Sequence, residues 1–102
     1  MQLHAKKKIE IVVESACAKR LIEMIEKAGA TGYTVVPQVA GKGVRGVRDE
    51  AHVSDLYRNV MIVVVAQADV AMRIVERSQP LLENYAGCVW MSDVQVVRDA
   101  HF

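Results

Sequence analysis

The longest apolar run in the sequence, residues 60–66, restricts the possible folds more than any other segment. Its seven residues, VMIVVVA, are far fewer than the roughly 20 that a helix needs to cross a bilayer. A short run so rich in β-branched residues favours a strand. Successive side chains of a strand point to opposite faces. One face receives Met61, Val63 and Val65, and the other receives Ile62 and Val64. Apolar neighbours must therefore cover both faces of this strand.

Three elements are predicted before this strand. Lys8 to Glu14 alternates polar and apolar residues, which is typical of a strand. A helical stripe follows at spacings of three and four residues, formed by Ala18, Leu21, Ile22, Ile25 and Ala28. Ser15 can cap the start of this helix, and Gly29 can take the left-handed conformation just past its end. Tyr33 to Val39 predicts a second strand, which Pro37 places at a sheet edge or in a bulge because proline cannot donate to a ladder.

Two more elements are predicted after the apolar run. A second helical stripe is formed by Val70, Ile74, Val75, Ser78 and Leu82. Asp69 lies near the start of this helix, and Pro80 is expected near its end because a proline removes an interior hydrogen bond. Cys88 to Val97 predicts the last strand. The order β-α-β-β-α-β is that of the ferredoxin-like fold. It predicts a single α+β domain over residues 1–102, with a four-stranded antiparallel sheet and both helices on one face.

Two helices can cover only one face of a four-stranded sheet. Apolar residues nevertheless lie on both faces of the third and last predicted strands, and Val12 adds another on the polar side of the first. An exposed apolar patch of that size usually marks an interface. The sequence therefore predicts an oligomer that packs through its sheets. The alternative is that the long loop or the C-terminal tail folds over this face.

A loop of 18 residues between Ala40 and Asn59 shows no periodicity, and loops of that length in compact domains are usually functional or disordered. Its first half reads GKGVRGVR. The glycines let successive amides point inward as a nest for an anion, and the lysine and arginines are typical phosphate ligands. The loop therefore predicts a phosphate site, although it is neither a Walker A loop nor a dinucleotide fingerprint. The alternative is a solvated hairpin loop with glycines for flexibility.

Composition argues against several classes of protein. The net charge of +1 and the pI of 7.8 lie below the pI above about 9 that is typical of nucleic-acid binders. Cys17 and Cys88 form neither a metal-binding pair nor a disulfide framework, which favours a reducing cytoplasm. His4, His52 and His101 are scattered, so no metal site is predicted. No paired carboxylates and no nucleophile beside a base predict a catalytic residue.

Three stretches of the sequence resemble the PII signalling proteins. They are GATGYTV at residues 29–35, GKGVRGVR at residues 41–48, and Tyr85-Ala86-Gly87 followed by a strand. The sequence is most similar to the PII-like branch linked to inorganic carbon, which includes carboxysome-associated and bicarbonate-transporter-associated members. The resemblance implies ferredoxin-like subunits, a homotrimer and adenine nucleotides bound in clefts between neighbouring subunits. It also implies that residues of about 41–59 form the loop that the family calls the T-loop.

The resemblance also implies the residues that bind ligands. Thr34 and Val35 would contact the base or the sugar, and Val64 would pack against the adenine ring. The phosphates would be wrapped by Gly41, Lys42, Gly43, Arg45 and Arg48. The neighbouring chain would contribute Gly87, Cys88 and Val89. Bicarbonate would bind beside the phosphates, near Gln38, Lys42 and Arg45.

The function implied by the resemblance is that of a non-catalytic cytoplasmic regulator with no prosthetic group. It would bind ADP or AMP, or else ATP or cyclic AMP, together with bicarbonate. Its T-loop would control a partner such as a bicarbonate transporter or a carboxysome protein. Arg45 stands about where nitrogen-type members have a glutamine that helps to bind 2-oxoglutarate, so sensing of 2-oxoglutarate is not expected. Tyr57 in the loop is interpreted as an ordinary tyrosine at a strand entry rather than as a modification site.

Two alternatives remain open at this point. One is a general adenylate sensor unrelated to carbon. The other is an RNA-binding module, because RRM domains share the β-α-β-β-α-β order. RRM domains need aromatic side chains on the sheet to stack bases, whereas this chain is only 5% aromatic and its third predicted strand contains none.

Overall fold

A computed structural model of the protein describes residues 1–40 and 58–102. The elements follow one another as β1 (His4–Glu14), α1 (Ser15–Lys27), β2 (Thr34–Val39), β3 (Asn59–Ala66), α2 (Ala68–Leu82) and β4 (Gly87–Val96). This is the predicted βαββαβ order. β1 begins earlier than predicted, at His4 rather than Lys8. The lysines before Lys8 hide the alternation of polar and apolar residues in the sequence. In the sheet, however, Lys6 lies opposite Val94 of β4 and Lys7 lies opposite Ala66 of β3.

The four strands form one antiparallel sheet in the order β2-β3-β1-β4. β2 therefore lies at one edge of the sheet and β4 at the other. The ladder between β2 and β3 shifts register between Val36 and Val39. Gln38 lies within the shift and has a φ of 56°, in the left-handed region that non-glycine residues seldom adopt. The prediction that Pro37 marks an edge strand or a bulge is confirmed, since both are present.

The core lies between one face of the sheet and the two helices. The strands contribute Ile9, Ile11, Val13, Val60, Ile62 and Val64, and the helices contribute Cys17, Leu21, Ile25, Ala71 and Ile74. Each isoleucine or leucine buried in this way stabilises the fold by about 1.5–3 kcal/mol. This side of the sheet is called the covered face below. Of the helices in the described residues, none is long and apolar enough to span a membrane.

The ends of the helices partly follow the sequence-based predictions. Gly29 has a φ of 108° just past the end of α1, as predicted. Pro80 lies inside α2, in its last turn. The prediction that Ser15 caps α1 is wrong, because the N-cap position belongs to Glu14, which makes no capping side-chain bond. Ser15 is instead the first helical residue, and both its backbone N–H and its hydroxyl donate to the carbonyl of Arg58, each at 2.6 Å.

The opposite side of the sheet, called the open face below, carries apolar residues that neither α1 nor α2 covers. The register places Val12, Met61, Val63, Val65 and Trp90 on this side. The first four are half-buried in the subunit, and Trp90 remains 42% exposed. The Trp90 indole donates to the Glu10 carboxylate at 3.1 Å, and Lys8 approaches the same carboxylate at 3.2 Å. The apolar open face predicted from the sequence is therefore present.

The C-terminal tail, residues 98–102, is tied to one corner of the sheet. Lys6 pairs with Asp99 at 2.6 Å, and the hydroxyl of Thr31 donates to the carbonyl of His101 at 2.6 Å. Gln67 donates to the carbonyl of Phe102 at 2.5 Å. Only 8% of the Lys6 side chain is exposed. The sequence left open the alternative that the tail covers the open face. The tail covers this face only at the corner where β1 begins, and it does not cover the apolar residues at the centre of the face.

Candidate functional site

The segment of residues 41–57 is attached at one end of the sheet, called the loop end below. At this end Val39 lies opposite Asn59, and Asn59 also lies opposite Glu14 of the neighbouring strand. The start of β4 reaches the same end, because the backbone N–H of Glu14 donates to the carbonyl of Ala86 at 3.2 Å. The beginning of β4 and the attachment points of the loop therefore lie at the same end of the sheet.

The return of the chain at residue 58 is held by α1. The carbonyl of Arg58 accepts two hydrogen bonds from Ser15, one from the backbone N–H and one from the hydroxyl. The start of α1 and the end of the loop are thus fixed to each other by two short bonds. Sequence reasoning missed this contact, because a serine before a helical stripe is typical of an N-cap. Only the antiparallel pairing of β1 with β3 brings residue 58 beside residue 15.

The predicted phosphate ligands fall outside the described residues. They are Gly41, Lys42, Gly43, Arg45 and Arg48, and the same is true of Tyr57. The remaining predicted residues of this edge, Thr34, Val35 and Gln38, all lie on β2 and are exposed. Thr34 lies opposite Val63, so it belongs to the open face. Val35 lies opposite Ile62 on the helix side, but it stays 38% exposed because β2 is an edge strand.

The other predicted group, Gly87, Cys88 and Val89, lies on β4 at the opposite edge of the sheet. Two strands separate the edges, and neighbouring strands are about 4.8 Å apart, so the two groups are roughly 14 Å apart across the sheet. One chain cannot wrap both groups around a single nucleotide base. Two copies of the chain can, if the β2 edge of one copy approaches the β4 edge of the other.

Gly87 also has a packing role that the sequence did not reveal. A Cβ atom at this position would lie 2.9 Å from Leu82 Cδ2, 3.0 Å from the Val12 carbonyl oxygen and 3.0 Å from Val13 Cγ2. The backbone of β4 therefore approaches β1 and the end of α2 so closely that a side chain here would require its neighbours to shift. Cys88, the next residue, is exposed and lies on the open face opposite Val12.

The expectation for Val64 is corrected by its burial. Val64 is 0% exposed and lies in the core between the sheet and the helices, so it cannot pack against a ring outside the subunit. Its neighbours Val63 and Val65 occupy the open face of the same strand and are half-buried. In an apolar strand both faces look alike in sequence. Which alternate residue faces outward becomes clear only once the helices are placed.

Cys17, in the first turn of α1, lies near the loop end and has a shifted pKa. Burial raises the pKa of the Cys17 thiol, an effect that the charge of Arg20 opposes, so Cys17 is a core residue rather than a reactive thiol. Within residues 1–40 and 58–102, no three His, Cys, Asp or Glu side chains lie close enough to hold a metal ion. What the described residues offer is an exposed β-branched edge, a tight glycine at the opposite edge and the attachment points of a basic glycine-rich loop.

Comparison with known proteins identifies relatives that cover nearly the whole chain. A family model described as nitrogen regulatory protein P-II matches residues 6–101. The chain is similar to CPII, a nitrogen regulatory PII-like protein from Thiomonas intermedia K12. A structure of CPII bound to ADP and bicarbonate has 33% sequence identity and a TM-score of 0.85, and the match covers 99% of this chain and 97% of that one.

Two further structures are similar over the same length. A second structure of CPII, bound to ADP, AMP and bicarbonate, has 29% identity and a TM-score of 0.85, with 99% of this chain and 96% of that chain covered. A PII-like signaling protein from Thermus thermophilus has 34% identity and a TM-score of 0.80, with 100% and 99% covered.

Proposed function

The chain belongs to the nitrogen regulatory P-II family, whose members are signalling proteins, and from that premise we propose a non-catalytic regulator that binds adenine nucleotides between the subunits of a homotrimer. The observation that carries this proposal is the division of the predicted site between two edges of one sheet. Thr34 and Val35 lie on β2, whereas the segment from Gly87 to Val89 lies on β4. A ring of subunits that joins unlike edges completes one cleft at each junction.

The open face supports the homotrimer independently of the ligand. Val12, Met61, Val63 and Val65 form a continuous apolar surface on adjacent strands that neither α1 nor α2 covers. Such a surface is typical of an interface in an obligate oligomer. In the proposed trimer the open faces of the three subunits turn toward one another, and the helices lie outside.

The proposed ligands are ADP or AMP, together with bicarbonate. CPII has been solved with ADP and bicarbonate, and its match covers 99% of this chain. In the proposal, Lys42 and Arg45 bind the phosphates, and the glycines of the loop supply backbone N–H groups. Val63 and Val65 of the open face replace Val64 as the apolar contacts from β3.

Bicarbonate is proposed to bind between the phosphates and the end of β2. Gln38 supports this placement, because its left-handed backbone turns the chain within the register shift, next to the start of the loop. An amide side chain beside Lys42 and Arg45 provides donors for a small planar anion. The bound anion and nucleotide then set the conformation of the loop, which controls a cytoplasmic partner of inorganic-carbon metabolism such as a bicarbonate transporter or a carboxysome protein.

The proposal is tested by calorimetric titration of the purified protein with ADP, without and with added bicarbonate. A co-ligand that prefers the nucleotide-bound form must raise the affinity for ADP, and couplings of this kind are typically about fivefold or more. Arg45→Ala should weaken ADP binding at least about tenfold, because a charge-assisted hydrogen bond is worth about 1.5–3 kcal/mol. Lys19→Ala, a matched loss of one exposed cation on α1, should leave the affinity unchanged.

Each outcome of this titration decides one part of the proposal. Tighter ADP binding with bicarbonate supports the sensor of inorganic carbon. ADP binding that ignores bicarbonate contradicts that part and favours a general adenylate sensor. No binding of ADP or AMP contradicts the nucleotide site itself.

A further inference from the structure

The outer surface of the helix layer carries a groove between α1 and α2. Its volume is about 350 Å³. The residues that line it are Arg20, Glu23, Met24, Lys27, Arg77, Pro80 and Leu81. The groove lies on the side of the subunit away from the open face, because both helices cover the other face of the sheet. It is therefore separate from the candidate nucleotide site and from the proposed contacts between subunits.

The floor of the groove is apolar. Met24 and Leu81 are half-buried and pack against the hydrophobic core, and Pro80 is exposed in the last turn of α2. Met24 is unbranched and polarizable, so it adapts to the shape of an inserted side chain. A short apolar side chain of a partner would be removed from water here and would make van der Waals contacts with these residues.

The rim of the groove carries a net positive charge. Arg20, Lys27 and Arg77 are all exposed, and in the described parts of the chain none of them forms an ion pair. Among the described residues that line the groove, Glu23 is the single acidic one, so three positive charges face one negative charge, a net of +2. Arg73, on the same helix as Arg77, shows the contrast: it pairs with Asp69 at 3.8 Å and donates to the carbonyl of Ala28 at 3.0 Å.

The shape of the groove indicates what kind of ligand it suits. All seven lining residues belong to two helices, so among the described residues the groove has a floor and two walls and no third element to close it. Small-molecule sites usually enclose about 70–90% of the ligand surface, which two helices alone cannot do. An amphipathic protein segment fits such an open groove, because only one side of the segment needs to be buried.

We propose that this groove is a docking site for an acidic, amphipathic segment of a partner protein. An apolar side chain of the segment inserts between Met24 and Leu81, while carboxylates on either side pair with Arg20 and Arg77. Arginine suits this role, since its planar group can bind both oxygens of a carboxylate. In an oligomer that packs through the open faces the groove stays accessible, so each subunit presents one docking site at the surface.

The test uses the full chain and a fluorescein-labelled peptide of about 15 residues, a length at which an isolated helix is marginally stable. Leucine recurs in the peptide at every third or fourth position, and glutamates flank each leucine. A scrambled peptide of the same composition controls for net charge. Binding is followed by fluorescence anisotropy, and the amides of the protein that respond are identified by NMR. Saturable binding of the patterned peptide is expected, with shifts at residues 20–27 and 77–81.

Charge reversal distinguishes the groove from the general surface. Arg77→Glu is expected to weaken binding of the peptide at least tenfold. Lys19→Glu, the same change beside Arg20 but outside the groove, is expected to weaken it less than twofold. Circular dichroism confirms that both variants are folded. Nucleotide binding is expected to be unchanged in both, so a failure here is separable from a failure of the nucleotide site.

Three results would overturn the proposal. The first is equal binding of the patterned and scrambled peptides, which means that charge alone is recognised. The second is an equal loss of affinity in Arg77→Glu and Lys19→Glu. The third is the absence of saturable binding, or NMR shifts confined to the open face and the loop end.

Discussion

The two faces of the sheet are made by the same strands but lie in different surroundings. On the covered face Ile11 and Ile62 are 0% exposed beneath the helices. On the open face their chain neighbours Val12 and Val63 are only half-buried, although they are equally apolar. Packing within the subunit therefore accounts for one half of the apolar residues in β1 and β3, namely those on the covered face. The other half lies on the face that α1 and α2 leave uncovered.

The difference shows that neighbouring residues of one strand contribute either to the stability of the subunit or to its assembly. Alternate residues of β3 stabilise the subunit, while those between them form a surface that a second copy can cover. The open face is also ordered in its polar part, since Glu10 accepts from Trp90 and pairs with Lys8. A face whose polar groups are already satisfied can be buried against another subunit without leaving an unpaired charge.

The largest effect is expected when the same charge is placed on each face in turn. Ile62→Glu would bury a carboxylate in the core, which costs several kcal/mol and removes most of the roughly 5–15 kcal/mol that stabilises a typical domain. This variant should be unfolded. Val63→Glu, one residue away, should keep the helical circular dichroism of the parent and lose the oligomer in analytical ultracentrifugation.

Two results would break the comparison. If Val63→Glu keeps the mass of the parent in solution, the open face is not the subunit interface. If Ile62→Glu is as stable to urea as Val63→Glu, the assignment of residues to the two faces is wrong.

The covered face could be predicted from the sequence to a large extent. Spacings of two, three and four residues predict the order of the elements and the helical stripes, because local periodicity determines which side of an element is buried. The three family motifs also predict the family correctly. The register that brings Ser15 to Arg58 was not predictable, because it joins residues 43 positions apart.

The open face and its edges were less predictable. Val64 was expected to contact the adenine ring because residues 60–66 of β3 are all apolar, so the sequence does not distinguish the two faces of this strand. The start of β1 was missed because its lysines conceal the strand. The contact of Lys6 with Asp99 spans 93 positions and leaves no local signal in the sequence. Long-range contacts made by charged residues lack the periodicity that sequence reasoning depends on.

A smaller effect, on the covered face alone, is expected from a single methyl group. Gly87→Ala places a Cβ within 3.0 Å of the Val12 carbonyl oxygen, a backbone atom that cannot turn away. Overpacking of this kind typically costs about 1–3 kcal/mol. Gly32→Ala is the matched control, because a Cβ at Gly32 meets nothing within 4 Å. Urea unfolding should separate the two variants, and equal midpoints would contradict the close packing of β4 on β1.

A still smaller effect is expected where the helix layer meets the loop end. Ser15→Ala removes one of the two hydrogen bonds to the Arg58 carbonyl and leaves the backbone bond in place. The expected loss of stability is about 0.5–1.5 kcal/mol. Ser15→Thr keeps a hydroxyl donor and should restore most of it. If alanine and threonine behave alike in urea unfolding, the hydroxyl contributes nothing to this junction.

The smallest effect concerns the corner of the open face that the tail covers, and it depends on pH. The hydrogen bond and the charge of Lys6 lower the pKa of Asp99 below its ordinary value of about 3.9. A carboxyl group whose pKa is lower in the folded state stabilises the fold above its unfolded pKa, and this contribution is lost as the pH falls through the folded pKa. Stability measured by urea unfolding should therefore fall less between pH 5 and pH 3 in Asp99→Asn than in the parent.

Glu83→Gln removes a carboxylate that forms no ion pair with any described residue, and it should follow the parent curve. Identical curves for Asp99→Asn and the parent would mean that the tail is not held at this corner in solution, and that the open face extends to the beginning of β1.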